Sequence, residues 1–310
     1  MYRLLTYWNT GNLGDVLQTI ALSRFLPQCI GIPRCRLTEQ LHPNKLFVVN
    51  GWHRWPREVP ASDANCLFAG IHCADAHVPW VRQSRFPAGA RDPFTHEVFQ
   101  RAGIPSVMLG CATLSLPRHD GPRDGVLSVD YLAGPGTQLT HGIKHGAPFA
   151  KQWQLGLAAL ARYQRAAEVH TSRLHVALPC LALGTPVAFH PARFQRERYS
   201  LLEHLGLEFG KLQQRDVSPL RTAYVKFLRT HLGEVTEGEP KFPTESADWP
   251  LMPTATATND TASLRADEAP KDLGKTKICR QNLCLSQIFG GSACCNGRLP
   301  CPPQPAIFPP

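Results

Sequence analysis

The sequence predicts an α/β protein built on parallel sheets with helices on both faces. Three observations carry this expectation. Short apolar runs alternate with amphipathic stretches through the first 232 residues, and the runs end in polar or glycine-bearing loops. Helix punctuation such as Asp92-Pro93 and Gly184 falls between the runs. At 310 residues the chain can bury a sizeable core and make two domains of ordinary size.

Residues 3–8 read as a first strand that runs into the loop Asn9-Thr10-Gly11-Asn12-Leu13-Gly14-Asp15. An amphipathic helix follows over 16–25, with Leu17, Ile20, Leu22 and Phe25 facing the core and Pro27 ending it. Residues 46–49 form a short buried strand that stops at Asn50-Gly51, and 66–71 another that stops at His72. Asp92 caps a helix over 93–102 with Pro93 in its first turn, Gly103 stops it, and 106–109 is the next strand. A second unit begins near Gly125. It holds a strand over 126–129 ending in Asp130, a Gly/Pro/His-rich loop over 134–148, and a helix over 152–167. Trp153, Leu157, Leu160 and Tyr163 lie on one side of that helix. A strand over 186–189 and a closing helix over 220–232 complete the unit. The expected domains are therefore 1–124 and 125–237. From 238 to 310 the character changes: Pro, Thr, Ala and Ser dominate 243–269 without any period, so a disordered tail that adds little stability is expected.

Composition narrows the class of function. Hydrophobic residues at 43% and aromatics at 8% are globular values. The formal charge of +9 suggests an anionic partner. The chain has no Lys/Arg block and no zinc-finger spacing, which argues against nucleic acid and for phosphorylated or carboxylated metabolites. No apolar run approaches the roughly 20 residues of a transmembrane helix. The N-terminus lacks the apolar stretch and cleavage site of a signal peptide, so a cytoplasmic protein is expected. Cysteines 29, 35, 66, 73, 111 and 180 are scattered, most of them in apolar surroundings, as reduced thiols are. Cys279, Cys284, Cys294, Cys295 and Cys301 crowd the end of the chain without a paired CxxC, and no metal site is expected.

The most informative stretch is Thr171-Ser172-Arg173-Leu174-His175. Ser172 or Thr171 would cap a helix ending at Gly184, with Arg173 and His175 in its first turn. Free N–H groups and the helix dipole already attract anions there, and a guanidinium and an imidazole strengthen the site. The competing reading makes Arg173 a solvated surface charge and His175 a core histidine. Other polar clusters fall at strand ends, where ligands of parallel sheets collect. They are Asn12 to Asp15, Asn50-Gly51-Trp52, Gly70-Ile71-His72, Arg91-Asp92-Pro93-Phe94-Thr95 and Gly110-Cys111-Ala112-Thr113-Leu114. For the first of these, a tight turn with Asp15 as helix cap is the plainer alternative.

As an ordered set over residues 4–232, these motifs resemble the polysaccharide pyruvyl transferase family. The resemblance implies two Rossmann-like domains facing across a cleft, similar to GT-B glycosyltransferases. It also implies transfer of the pyruvyl unit of phosphoenolpyruvate onto two hydroxyls of a sugar, giving a pyruvate ketal. Arg91, Arg173, Leu174 and His175 would hold phosphoenolpyruvate. Asn12, Gly14, Asp15, His72 and Thr113, in the other matched motifs, would contribute to substrate binding. The acceptor would be a glycan or lipid-linked oligosaccharide of the cell wall or an exopolysaccharide, met in transient contact with a membrane surface. Neither cofactor nor metal is implied. Arginine suits the donor because its fork matches carboxylate and phosphate alike. His175, with a pKa near neutrality, would deliver the proton that C3 needs. The second half, 125–232, is short for the family, and the tail matches nothing in it. Two other readings stand beside this one: a GT-B-like glycosyltransferase using a nucleotide sugar, and a non-catalytic, degenerate family member.

Overall fold

The computed structural model describes residues 2–7, 10–38, 44–53, 60, 65–192, 195–233 and 235–245. The expectations for Trp8 and Asn9, and for the Pro/Thr-rich and Cys-rich chain over 246–310, lie outside them. Among the described residues no helix is long and apolar enough to cross a membrane.

The expected alternation of strand and helix is present as two sheets. The first contains β1 (Tyr2–Thr6), β2 (Cys29–Pro33), β3 (Phe47–His53), β4 (Cys66–Cys73), β5 (Ala88–Ala90), β6 (Ser106–Met108) and a late strand, β12 (Thr244–Glu245). Its order is β12-β2-β1-β3-β4-β5-β6, with every pair parallel. The second contains β7 (Val126–Val129), β8 (Thr137–Leu139), β9 (Glu168–Thr171), β10 (Val187–Phe189) and β11 (Leu212–Gln213), in the order β11-β10-β9-β7-β8. Only β11 runs antiparallel to its neighbour.

The helices are α1 (Leu13–Ser23), α2 (Val78–Val81), α3 (Pro93–Arg101), α4 (Phe149–Arg165), α5 (Leu174–Leu183), α6 (Arg196–His204) and α7 (Ser218–Leu232). Helix α1 starts earlier than its apolar period suggests, because Asn12 rather than Asp15 caps it by accepting the Gly14 N–H. Leu17, Ile20, Leu22 and Phe25 are buried, as their spacing requires. On α4, Trp153, Leu160 and Tyr163 are buried while Leu157 is 38% exposed.

The two halves do not have separate cores. One apolar cluster joins Leu17 and Ile20 of α1 to Trp153 and Leu160 of α4 and to Val176 and Leu181 of α5, and the described residues form one compact unit. Helix α7, expected to close the second half, turns back to the first sheet. There the Tyr224 hydroxyl donates to the Ala69 carbonyl at 3.1 Å, and Leu232 accepts from the Tyr2 hydroxyl at 2.9 Å. A second apolar cluster, with Leu5, Phe47, Phe68 and Phe99, fills the other face of the first sheet. The chain from 238 to 245, expected to lie beyond the body, belongs to it. Gly238 N–H donates to Arg24 O, Phe242 packs on Phe149 and Trp153, and β12 adds a strand beside β2. Aromatic contact and backbone pairing outweigh the low-complexity composition there.

Where β4 approaches α7, Gly70 has φ +78°, and a β-carbon on it would stand 2.6 Å from the Gly110 carbonyl oxygen. Gly70→Ala should therefore lower stability by about 1–3 kcal/mol. Chemical denaturation checks this, and an unshifted midpoint would show that the strand relaxes freely.

Candidate functional site

The loops that follow the parallel strands gather at the C-terminal edges of both sheets, where such sheets place ligands. On the first sheet the Arg91 N–H continues the β4–β5 pairing by donating to Ile71 O at 2.8 Å. Arg91 is 2% exposed and its Nε donates to Asp92 Oδ2 at 3.0 Å. The same oxygen pairs with His72 Nδ1 at 2.7 Å. The other carboxylate oxygen caps α3, accepting from Thr95 N–H at 2.9 Å and from the Thr95 hydroxyl at 2.8 Å. Burial alone would raise the Asp92 pKa, yet Arg91, His72 and the Thr95 N–H hold it at about 2. His72 stacks on Phe94 and meets Trp52 edge-on. Its pKa is lowered by burial first and by Arg91 second, against the pull of Asp92.

On the second sheet, Asp130 plays a comparable part at the end of β7. Its carboxylate accepts from Arg173 Nε at 2.7 Å, from the Thr140 hydroxyl at 2.9 Å and from His141 N–H at 3.2 Å. Its carbonyl accepts from the Ser172 hydroxyl at 2.7 Å. Asp130 does this with φ 50°, a conformation that aspartate tolerates better than most residues. Arg173 is the cap of α5 and not part of its first turn, and neither Ser172 nor Thr171 caps the helix. Thr171 instead uses its hydroxyl to accept the Arg173 N–H at 3.0 Å.

His175 lies one residue inside α5 and has non-helical angles, φ −83° and ψ 16°. Pro179 stands four residues on. It has no N–H for the His175 carbonyl, and its ring crowds that carbonyl, so the first turn opens there. The ring packs on Gly14: a β-carbon on Gly14 would stand 2.6 Å from His175 Cβ and 3.0 Å from its Nδ1. Its Nε2 is buried and has no hydrogen-bond partner. The pKa of His175 is lowered well below its ordinary value by burial, then by Arg91, Arg198 and His141. The near-neutral pKa expected of His175 is therefore absent, because burial disfavours the imidazolium and Arg91, Arg198 and His141 add to that by repulsion.

Backbone contacts lock the two edges together. Leu13 N–H donates to His141 O at 2.9 Å, Ile143 N–H donates to Gly11 O at 3.1 Å, and α6 packs against α3.

Arg91, Gly14, Asp15, Arg173 and His175 are thus brought into one place, and His72 joins through Asp92. Asn12 serves by capping α1. Two expected site residues do not join. Leu174 is 3% exposed within the apolar core. Thr113 is fully buried and gives its hydroxyl to Cys111 Sγ. The sequence reading missed Asp130 as an organiser, His141, and Arg198 on α6. Arg198 sits near Arg91, Arg173 and Asp15 with its guanidinium 5.6 Å from the Trp52 ring centre. The buried thiols are no candidates for nucleophiles: burial pushes Cys66 and Cys73 up to about 12. Among the described residues no group of three His, Cys, Asp or Glu is placed to hold a metal.

No protein-family model and no curated protein matches the chain. Among solved structures, an uncharacterised protein of Klebsiella pneumoniae is similar at 13% identity and TM-score 0.45, over 66% of this chain and 88% of its own. The UDP-GlcNAc 2-epimerase of Methanocaldococcus jannaschii, solved with UDP-GlcNAc and UDP, is similar at 11% identity and TM-score 0.37, over 78% and 96%. Such distant likenesses carry no argument about what this chain binds.

The site makes the fold sensitive to acid. His72, His141 and His175 all have folded pKa values below the ordinary 6.5, that of His141 about 3. Below pH 6.5 the unfolded chain takes up protons that the folded one refuses. Stability is then complete above about pH 7 and falls by up to about 1.4 kcal/mol per pH unit for each histidine. Asp92 adds to the loss between about pH 4 and 2, the interval between its ordinary and folded values. The thermal midpoint should fall steadily from pH 6.5 to 5, and His141→Gln should flatten the fall. A midpoint flat over this range would mean that the folded protein accepts these protons.

Proposed function

We propose that this chain is a pyruvyl transferase, moving the pyruvyl unit of phosphoenolpyruvate onto two hydroxyls of a glycan sugar. The two sheets then act as Rossmann-like halves that share the ligand between their edges. The observation that carries this reading is the convergence of Arg91 from the first sheet with Arg173 and His175 from the second, beside the α1 start at Gly14. Both arginines have Nε tied to a carboxylate, which fixes the plane of each fork and leaves the terminal nitrogens for a ligand.

In the reaction one sugar hydroxyl forms a C–O bond to C2 of phosphoenolpyruvate while a proton is delivered to C3, making the methyl group. The C2–O bond to phosphate breaks, the second hydroxyl takes its place at C2, and the phosphate leaves with the remaining hydroxyl proton. The arginines hold the anionic donor and stabilise the charge that develops on it. His175 supplies the proton to C3 and is reprotonated by the hydroxyl that forms the first C–O bond. The imidazole is neutral before the donor binds. An anion placed among Arg91, Arg173 and His175 offsets the burial and the repulsion that keep the proton away, so the proton enters with the donor.

Three outcomes are expected. Incubation with phosphoenolpyruvate and cell-surface glycans should release phosphate and add a pyruvyl mass to the glycan; absence of both across glycan classes would sink the reading. Calorimetry at pH 7 in buffers of different ionisation enthalpy should show proton uptake on phosphoenolpyruvate binding, lost in His175→Gln. His175→Ala should fold, bind phosphoenolpyruvate and lose about 10²–10⁴ in turnover. A destabilised but fully active variant would identify His175 as a packing residue.

A further inference from the structure

Three guanidiniums meet at the site, and they are not equivalent. Arg91 is held by Asp92 and Arg173 by Asp130, each through Nε. Arg198 has no ion pair among the described residues. Asp15 attracts it from beyond ion-pair distance, and the Asp15 carboxylate already accepts the Thr10 hydroxyl at 2.9 Å. Arg198 is half-buried, in the first turn of α6, on the chain that leaves β10. Its contacts are with ring faces: Trp52 at 5.6 Å and Tyr199 at 5.9 Å from the ring centres. Burial, Arg91 and Arg173 all work against its charge. Arg198 thus keeps solvent-accessible N–H groups with no protein acceptor among the described residues, near a buried imidazole whose Nε2 has no hydrogen-bond partner. A buried polar atom left unpaired beside an uncommitted cation points to a ligand.

We infer that Arg198 is the principal ligand of a phosphate group in this site, with Arg91 and Arg173 taking the carboxylate at the other end of the donor. This assignment rests on the pyruvyl-transfer reading for the identity of the donor, but not for the phosphate itself. The division follows from donor capacity. Arg91 and Arg173 have each committed Nε and offer their terminal nitrogens, which suits a two-oxygen carboxylate. Arg198 has its whole fork of five N–H groups, which suits the three terminal oxygens of a phosphate. The contact with Trp52 brings α6, from the second sheet, to a residue near the end of β3 in the first sheet. Phosphate bound by Arg198 is therefore held across both halves of the fold.

The test is isothermal calorimetry of the full chain with inorganic phosphate, phosphoenolpyruvate, pyruvate and UDP, on wild type, Arg198→Ala and Arg198→Lys. Circular dichroism of each preparation establishes folding, and Arg198→Lys covers the case in which the alanine variant does not fold. Expected is a loss of about ten- to hundredfold in affinity for phosphate and phosphoenolpyruvate in Arg198→Ala, with pyruvate affinity unchanged. Arg198→Lys should recover only part, because a single ammonium replaces the fork. Phosphate and phosphoenolpyruvate affinities unchanged in the folded variant overturn the inference, and so does a wild type that binds none of the phosphate-bearing ligands. UDP binding that depends on Arg198, with no binding of phosphoenolpyruvate, leaves Arg198 as a phosphate ligand and overturns the pyruvyl-transfer reading instead.

Discussion

Asp92 has no exposed surface, and a carboxylate removed from water is tolerable only where donors surround it. Here they come from four directions: Arg91, His72, the Thr95 amide and the Thr95 hydroxyl. The Thr95 hydroxyl also accepts the Cys73 N–H, which ties the start of α3 to the end of β4. One anion therefore fixes the helix start, the strand end, the arginine and the histidine at once. The cation-rich pocket depends on it, because Arg91 could not stay 2% exposed without that counter-charge.

The second sheet solves the same problem differently. Asp130 is less buried and binds Arg173 while bending its own backbone into a left-handed conformation, so the loop after β7 can reach both Ser172 and His141. The imidazole next to it owes its position to chain chemistry more than to any hydrogen bond. Pro179 withholds a donor from the His175 carbonyl, the turn opens, and the ring settles against Gly14, where a side chain would leave no room.

Much of this was legible in the sequence and some was not, for identifiable reasons. The strand end at Asp130, the Asp92-Pro93 helix start and the Gly184 helix end have strong local signatures, and each stands where those signatures put it, whereas β4 runs on through His72 to Cys73. Asp92 read as a cap alone, because its pairing with His72 spans twenty positions of sequence that no local pattern reports. Strands β2, β5 and β9 are too short or too mixed in polarity to show a period. Arg198 lies in Gln195-Arg196-Glu197-Arg198, which reads as an ordinary charged helix start. Only the packing of α6 on α3 turns it inward. The shared core was equally hidden, since an amphipathic stripe such as that of α1 shows that a face is covered without naming what covers it.

Strand β12 pairs with β2 at the border of the first sheet, where backbone N–H and C=O groups would otherwise point outward unpaired. Such a border is a template on which another extended chain can grow, and proteins guard against it with short, covering segments. The two-residue strand, led in by the Arg24 contact at Gly238 and by Phe242 packed on Trp153, is such a guard. A protein shortened to the point where helical periodicity ends would keep its pocket and yet be self-associating, with solubility governed by eight residues that take no part in chemistry.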